Sequence, residues 1–226
     1  MFIINCKNYE EISGDKILKF VKIAEKISKK YKLKIVIAPP QHLIGLVSNS
    51  KIPIISQHVD NSKIGSTTGY VIPELLKKSK VRGSLINHSE HRISSDDVSK
   101  LVWKLQELKM MSVVCVKDVA EVKKYLKLNP DYIAIEPPEL IGSGKAVSNE
   151  KPEIIVKAAK AVKSANNNTK LLCGAGIVSG KDVSKALELG SEGILVASGI
   201  IKAKNWTKII EEFSNTMKKH NELTTN

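Results

Sequence analysis

The sequence predicts an α/β fold in which eight strand–helix units close into a single (β/α)8 barrel, and three observations carry that expectation. Eight short β-like runs recur along the 226 residues, at 2–5, 34–38, 53–57, 84–86, 111–116, 132–136, 170–173 and 193–196. Most of the intervals between them hold apolar residues at helical spacing. The length suits one closed barrel, which takes about 250 residues and tolerates as few as about 200. An open doubly wound sheet is the alternative assembly of the same units.

The runs are mostly continuous apolar stretches, such as Phe2-Ile3-Ile4 and Val113-Val114-Cys115-Val116. Parallel strands covered by helices read this way, whereas half-exposed strands alternate. After the first run, Ile17, Phe20, Val21, Ala24 and Ile27 fall on one helix face. The interval 39–50 has room for only a short helix, and 58–69 is a polar, glycine-containing loop before a brief helical stretch at 73–80. Later intervals recover the pattern, with Val98, Leu101, Val102, Leu105 and Leu108 on one face and Trp206, Ile210, Phe213 and Met217 on another. Right-handed crossovers between such units bring the strands side by side. No linker or repeat divides the chain, so residues 1–226 read as one domain, with 220–226 a polar tail expected to fray.

Composition narrows the function. Hydrophobic residues make up 42% and charged residues 26%, close to the globular average, and no apolar stretch has the length of a membrane span or the form of a signal peptide. A soluble cytoplasmic protein is expected. Cys6, Cys115 and Cys173 are scattered in or beside apolar runs, which fits buried free thiols better than disulfides or a zinc site. The net charge of +13 raises nucleic acid as a partner, but only Arg82 and Arg92 of the 36 basic residues are arginine, and aromatics are few. A solvated lysine surface that attracts small anions fits better than a nucleic-acid interface.

In a barrel the chemistry sits where strands end at their C-terminal side. There the sequence places Asn5-Cys6-Lys7, Asn87-His88-Ser89-Glu90-His91-Arg92, Glu136, Gly174-Ala175-Gly176 and Ala197-Ser198-Gly199. The sixth run delivers Glu136 into Pro137-Pro138-Glu139-Leu140-Ile141-Gly142-Ser143-Gly144, a fixed carboxylate followed by a stretch whose glycines open conformations closed to other residues. That is how a general base beside a lid would be written. The two small-residue loops, each between a strand and a helix, let backbone N–H groups approach an anion. His88 and His91 lack zincin spacing and have no companion ligands, so no metal is expected.

Together these pieces resemble the triosephosphate isomerase family, in its compact archaeal form, from Phe2 to about Phe213. The specific matches are Asn5-x-Lys7, His88-Ser89-Glu90-x-Arg92, Glu136-Pro137 with the lid 138–145, and the two phosphate loops. The resemblance implies interconversion of dihydroxyacetone phosphate and glyceraldehyde 3-phosphate through an enediol or enediolate. Glu136 would be the base, His88 would polarise the carbonyl, and Lys7, oriented by Asn5 and backed by Glu90, would stabilise developing charge. Ile141, Gly142, Gly176, Ala197 and Ser198 would hold the phosphate. In the family the histidine is kept neutral by a helix N-terminus, and Ser89-Glu90 reads as a plausible helix start here. No cofactor is implied.

The chain also departs from many bacterial and eukaryotic members. Pro137-Pro138-Glu139-Leu140 stands where they carry a tryptophan-bearing lid, and Ala197-Ser198 replaces a glycine pair. The loop Gly65-Ser66-Thr67-Thr68-Gly69-Tyr70 resembles the one by which family members interdigitate, with Thr68 reaching the neighbour's active site and Tyr70 in place of an acid. A homo-oligomer, dimer or tetramer, is therefore implied. Another phosphosugar enzyme on the same barrel is the alternative reading, since it would use the phosphate loops without needing Lys7, His88 and Glu136 together.

Overall fold

A computed structural model describes residues 1–165 and 168–225. Seven parallel strands, β1 (Phe2–Asn5), β2 (Ile35–Ala38), β3 (Gly83–Ile86), β4 (Met111–Val116), β5 (Tyr132–Ile135), β6 (Lys170–Cys173) and β7 (Gly193–Val196), form one sheet in the order β2-β1-β7-β6-β5-β4-β3. The eighth expected strand, 53–57, is not a regular strand. It supplies one bridge to β2, Ile37 with Ile54, and one to β3, Ser56 with Ser84.

Those bridges close the ring. On one side Ile37 donates to the Pro53 carbonyl and Ile55 to the Ile37 carbonyl, and on the other Ser56 donates to the Gly83 carbonyl and Leu85 to the Ser56 carbonyl. The ladder stays short because Pro53 has no N–H to offer at one end. At the other, the Ser56 hydroxyl bonds Gln41 and His58 and turns the chain away. The architecture is thus an α/β barrel of seven strands plus an irregular eighth staple.

Among the described residues the α-helices are α1 (Lys16–Tyr31), α2 (Ile44–Val47), α3 (Pro73–Lys78), α4 (Ser95–Glu107), α5 (Val119–Leu126), α6 (Val147–Glu150), α7 (Pro152–Ser164), α8 (Gly180–Glu188), α9 (Ser198–Ile201) and α10 (Trp206–Thr225). The faces read from sequence are the buried ones: Ile17, Phe20, Val21, Ala24 and Ile27 on α1, and Val98, Leu101, Val102 and Leu105 on α4. The segment 220–225, expected as a fraying tail, continues α10 as helix.

Strand alternation divides the core in two. Phe2, Ile4, Ile35, Ile37, Ile133 and Ile135 face the helices. Ile3, Val36, Ala38, Ile55, Leu85, Val113, Cys115, Ala134, Leu172 and Leu195 form a separate cluster inside the barrel. Side chains two residues apart share a face, so the next inward position above this apolar plug is Asn5 on β1, Gln57 on the staple, Asn87 after β3, Glu136 after β5, Gly174 after β6 and Ala197 after β7. The period of the strand thus sets a polar rim on an apolar floor.

Candidate active site

One half of the rim is held by side-chain hydrogen bonds. Asn5, almost fully buried, accepts the Lys7 backbone N–H at 3.0 Å, while Gln57 Nε2 donates to the Lys7 carbonyl at 3.0 Å and the Ala38 carbonyl at 3.1 Å. Lys7 itself has φ 48°, in the left-handed region unusual for a side-chain-bearing residue. These bonds hold that backbone in place, so Asn5 orients Lys7 through its main chain. The Lys7 ammonium extends to Glu90 Oε1 at 2.6 Å.

His88 lies in the same half, buried at 6% exposure. Its Nδ1 accepts the Glu90 backbone N–H at 3.2 Å, which assigns the ring proton to Nε2. The Nε2 atom is 3.5 Å from Glu136 Oε2. The helix start expected at Ser89-Glu90 is absent: His91 N–H bonds the His88 carbonyl in a turn, and Asn87 Oδ1 accepts the Ile93 N–H to close the loop. α4 begins later, where the Ser94 hydroxyl caps the Asp97 N–H at 3.1 Å. A single backbone N–H, not the end of a helix, therefore fixes the tautomer. Arg92 ties the loop to Glu121 on α5, and neither Gln57 nor Glu121 was picked out from the sequence.

Glu136 stands one residue past β5 and is buried at 7% exposure. Burial raises its carboxyl above the usual carboxylate range, against the lowering pull of His88, Lys7 and the Cys115 thiol beneath it. Its Oε2 is buried with no hydrogen-bond partner among the described residues, a costly state for a carboxylate oxygen unless it has work to do. The neighbouring rim position, after β6, must be glycine. A Cβ on Gly174 would lie 2.8 Å from Glu136 Oε1 and 2.7 Å from the Leu195 carbonyl.

The second half of the rim is built from backbone. A narrow cavity of about 20 Å³ lies among Lys7, Glu136, Ile141, Gly142, Gly176, Ala197 and Ser198, so the five residues expected to hold phosphate meet beside the carboxylate and the ammonium. α9 starts at Ser198, leaving its leading N–H groups without intrahelical acceptors. The lid stretch 141–145 is largely exposed and bends through Gly142 at φ 70° and Gly144 at φ 73°. Its far end packs on Gly176, where a Cβ would sit 1.9 Å from the Lys145 carbonyl oxygen. Asn5, Lys7, His88 and Glu90 line an adjoining cleft of about 480 Å³ with Gln57, His58 and His91.

Residues 1–213 match the family model described as triosephosphate isomerase. The chain belongs to the triosephosphate isomerase family. Curated relatives named triosephosphate isomerase include that of Cenarchaeum symbiosum, 55% identical over 96% of this chain and 97% of its own length. Those of Methanothermus fervidus and Methanocaldococcus jannaschii are 46% and 44% identical, covering 96% and 94% of this chain and 98% and 97% of theirs. Membership accounts for the barrel and for the order of the motifs along it. Thr68, expected at an interface between copies, lies in the exposed loop 63–70, outside both cavities of this rim.

Proposed function

We propose that this enzyme, an aldose–ketose isomerase, interconverts dihydroxyacetone phosphate and D-glyceraldehyde 3-phosphate with Glu136 as the base that carries the proton. The reaction is an intramolecular oxidoreduction, used in glycolysis and gluconeogenesis, and it moves protons only, so the chemistry calls for no cofactor. Glu136 Oε2 takes the carbon-bound proton from one carbon and returns it to its neighbour. A carboxylate made more basic by burial suits that task.

His88 donates its Nε2 proton toward the carbonyl and hydroxyl oxygens as charge develops there, the tautomer being fixed by Glu90 N–H. Lys7 brings a positive charge to the same oxygens, and Asn5 holds its backbone. Ile141, Gly142, Gly176, Ala197 and Ser198 hold the phosphate by backbone N–H groups. The narrow cavity between them means that the lid 138–145 shifts to admit substrate and then shuts out water, protecting an enediolate that can lose phosphate.

The observation that carries this reading is the unpartnered, buried Glu136 Oε2, 3.5 Å from His88 Nε2 and on the wall of the anion cavity. We further propose a homo-oligomer in which Thr68 reaches the neighbouring copy's site; the fully exposed loop that bears it supports this. Among the described residues no helix is long and apolar enough to cross a membrane. A cytoplasmic setting is proposed on the three buried, unpaired thiols, which suit a reducing compartment. The test is coupled turnover of glyceraldehyde 3-phosphate by the intact protein and by Glu136→Gln. The expected result is rapid turnover lost at least about a hundredfold in the variant, whereas turnover of only a larger sugar phosphate by the intact protein would overturn the substrate assignment.

A further inference from the structure

Away from the rim, α5 and α7 pack side by side on the outside of the barrel and leave a groove of about 900 Å³ between them. Its walls are two pairs of lysines, Lys123 on α5 with Lys127 at its C-terminal cap, and Lys157 and Lys160 on α7. Spacings of four and three residues put each pair on one face of its helix, a turn apart. Val119 from α5 and Ala161 and Ala165 from the α7 end supply the apolar surface between them, above the buried Leu126. Val119 and Leu126 are seven residues apart, about two helical turns or 10 Å of groove.

Charge in this groove is uncompensated. Among the described residues no acid lines it. The acids near it in sequence are used or set apart: Asp118 caps α5 by accepting the Glu121 N–H, Glu121 is paired with Arg92, Asp131 accepts from Ser112, and Glu153 lies in the first turn of α7, outside the lining. Some helix lysines elsewhere are neutralised locally, as in Lys30 with Glu211, Lys100 with Asp96, Lys104 with Glu74 and Glu107, and Lys218 with Glu222. Four cations flanking an apolar strip, on a chain of net charge +13, also repel a second copy of the same face. The complementary surface is a carboxylate row on each side of an apolar stripe.

We propose that the α5–α7 groove binds an acidic amphipathic helix of a protein partner. Such a helix seats a narrow apolar stripe on Val119, Ala161 and Ala165 and sets its flanking Glu or Asp side chains against the lysine pairs, the helix-in-groove mode of recognition. A bare phosphate needs the cations alone and leaves the apolar strip wet. Single-stranded nucleic acid adds base stacking on aromatic side chains, and the groove has none.

Fluorescence anisotropy tests this on the full chain with a labelled 14-residue helical peptide carrying a leucine stripe flanked by glutamates. The peptide is expected to bind, and more weakly as salt rises. The double variant Lys123→Glu/Lys157→Glu, altered only at exposed side chains, is expected to bind at least tenfold more weakly while isomerase turnover and helical circular dichroism stay unchanged. A peptide with the glutamates replaced by lysine is expected to restore binding to that variant. Equal binding of polyglutamate or of a scrambled peptide without the stripe would overturn the proposal in favour of unspecific charge attraction. Tighter binding of a single-stranded oligonucleotide, self-association abolished by the double variant, or no peptide binding at low salt would each overturn it as well.

Discussion

The two halves of the barrel rim are made differently. On the side of β1, the staple and β3, charged and polar side chains are each fixed by a named hydrogen bond: Asn5 and Gln57 to the Lys7 backbone, Glu90 N–H to His88 Nδ1, Arg92 to Glu121. On the side of β5, β6 and β7 the working parts are backbone and glycine, with Gly142, Gly144 and Gly176 at positive φ and a lid that is largely exposed. Charge stabilisation depends on groups that do not move when charge appears, whereas gripping and releasing an anion depends on a segment that does. Glu136 sits between the halves, and Lys7 lines the cavity of each.

Lys7→Ala breaks the pinned half and carries the largest expected effect. Loss of a preorganised charge donor in a site of this kind costs about a hundred- to a thousandfold in kcat, and KM should rise with it because the ammonium also meets the phosphate cavity. Steady-state kinetics separate the two, and a rise in KM alone would confine Lys7 to binding. Gly176→Ala disturbs the other half: the new Cβ meets the Lys145 carbonyl and the residue is held at φ 72°. The expected loss is about tenfold in kcat/KM, an order of magnitude typical of displaced positioning elements, carried mainly by KM.

Gln57→Ala tests whether the pinning matters. It leaves the Lys7 and Ala38 carbonyls without their donor, an expected stability loss of about 1 kcal/mol read as a lower Tm, with a fall in kcat severalfold at most. If kcat is untouched while Tm drops, the left-handed Lys7 backbone is held by Asn5 alone.

The smallest effect is on the pH dependence of stability. Glu136 has a folded-state pKa raised by burial, so the folded state protonates first as pH falls. Its contribution to stability is therefore fully present below the unfolded value near 4.5 and lost as pH rises through the folded pKa. At neutral pH the charged carboxylate lowers stability. Glu136→Gln should match or exceed the parent Tm at pH 7 and lose that advantage in acid, as thermal melts across pH would show.

Most of the fold is legible in the residues because burial leaves a periodic trace. Ile17 to Ile27 on α1 and the apolar strand runs are examples. The staple at 53–57 was not legible as irregular, because a proline lacking a donor and a serine whose hydroxyl turns the chain leave the apolar pattern of Ile52, Ile54 and Ile55 intact. The helix expected at Ser89-Glu90 failed for a similar reason. Ser94-Ser95-Asp96-Asp97 carries the working cap, and the competing Asn87 side chain closes the loop before it. At the rim, residues of distinctive chemistry stand out in the sequence, and the groups that hydrogen-bond them do not. Gln57 can be reached by counting two beyond the inward-facing Ile55, but the pairing of Arg92 with Glu121 joins a loop to a helix that only the ring brings together.

Deuterium exchange tests the role of Glu136 most directly. Dihydroxyacetone phosphate is incubated with enzyme in D2O and followed by proton NMR at the carbon that gives up its hydrogen. The intact protein is expected to incorporate deuterium there and to pass on to labelled glyceraldehyde 3-phosphate, while folded Glu136→Gln exchanges at least about a hundredfold more slowly. Undiminished exchange in that variant would contradict Glu136 as the base.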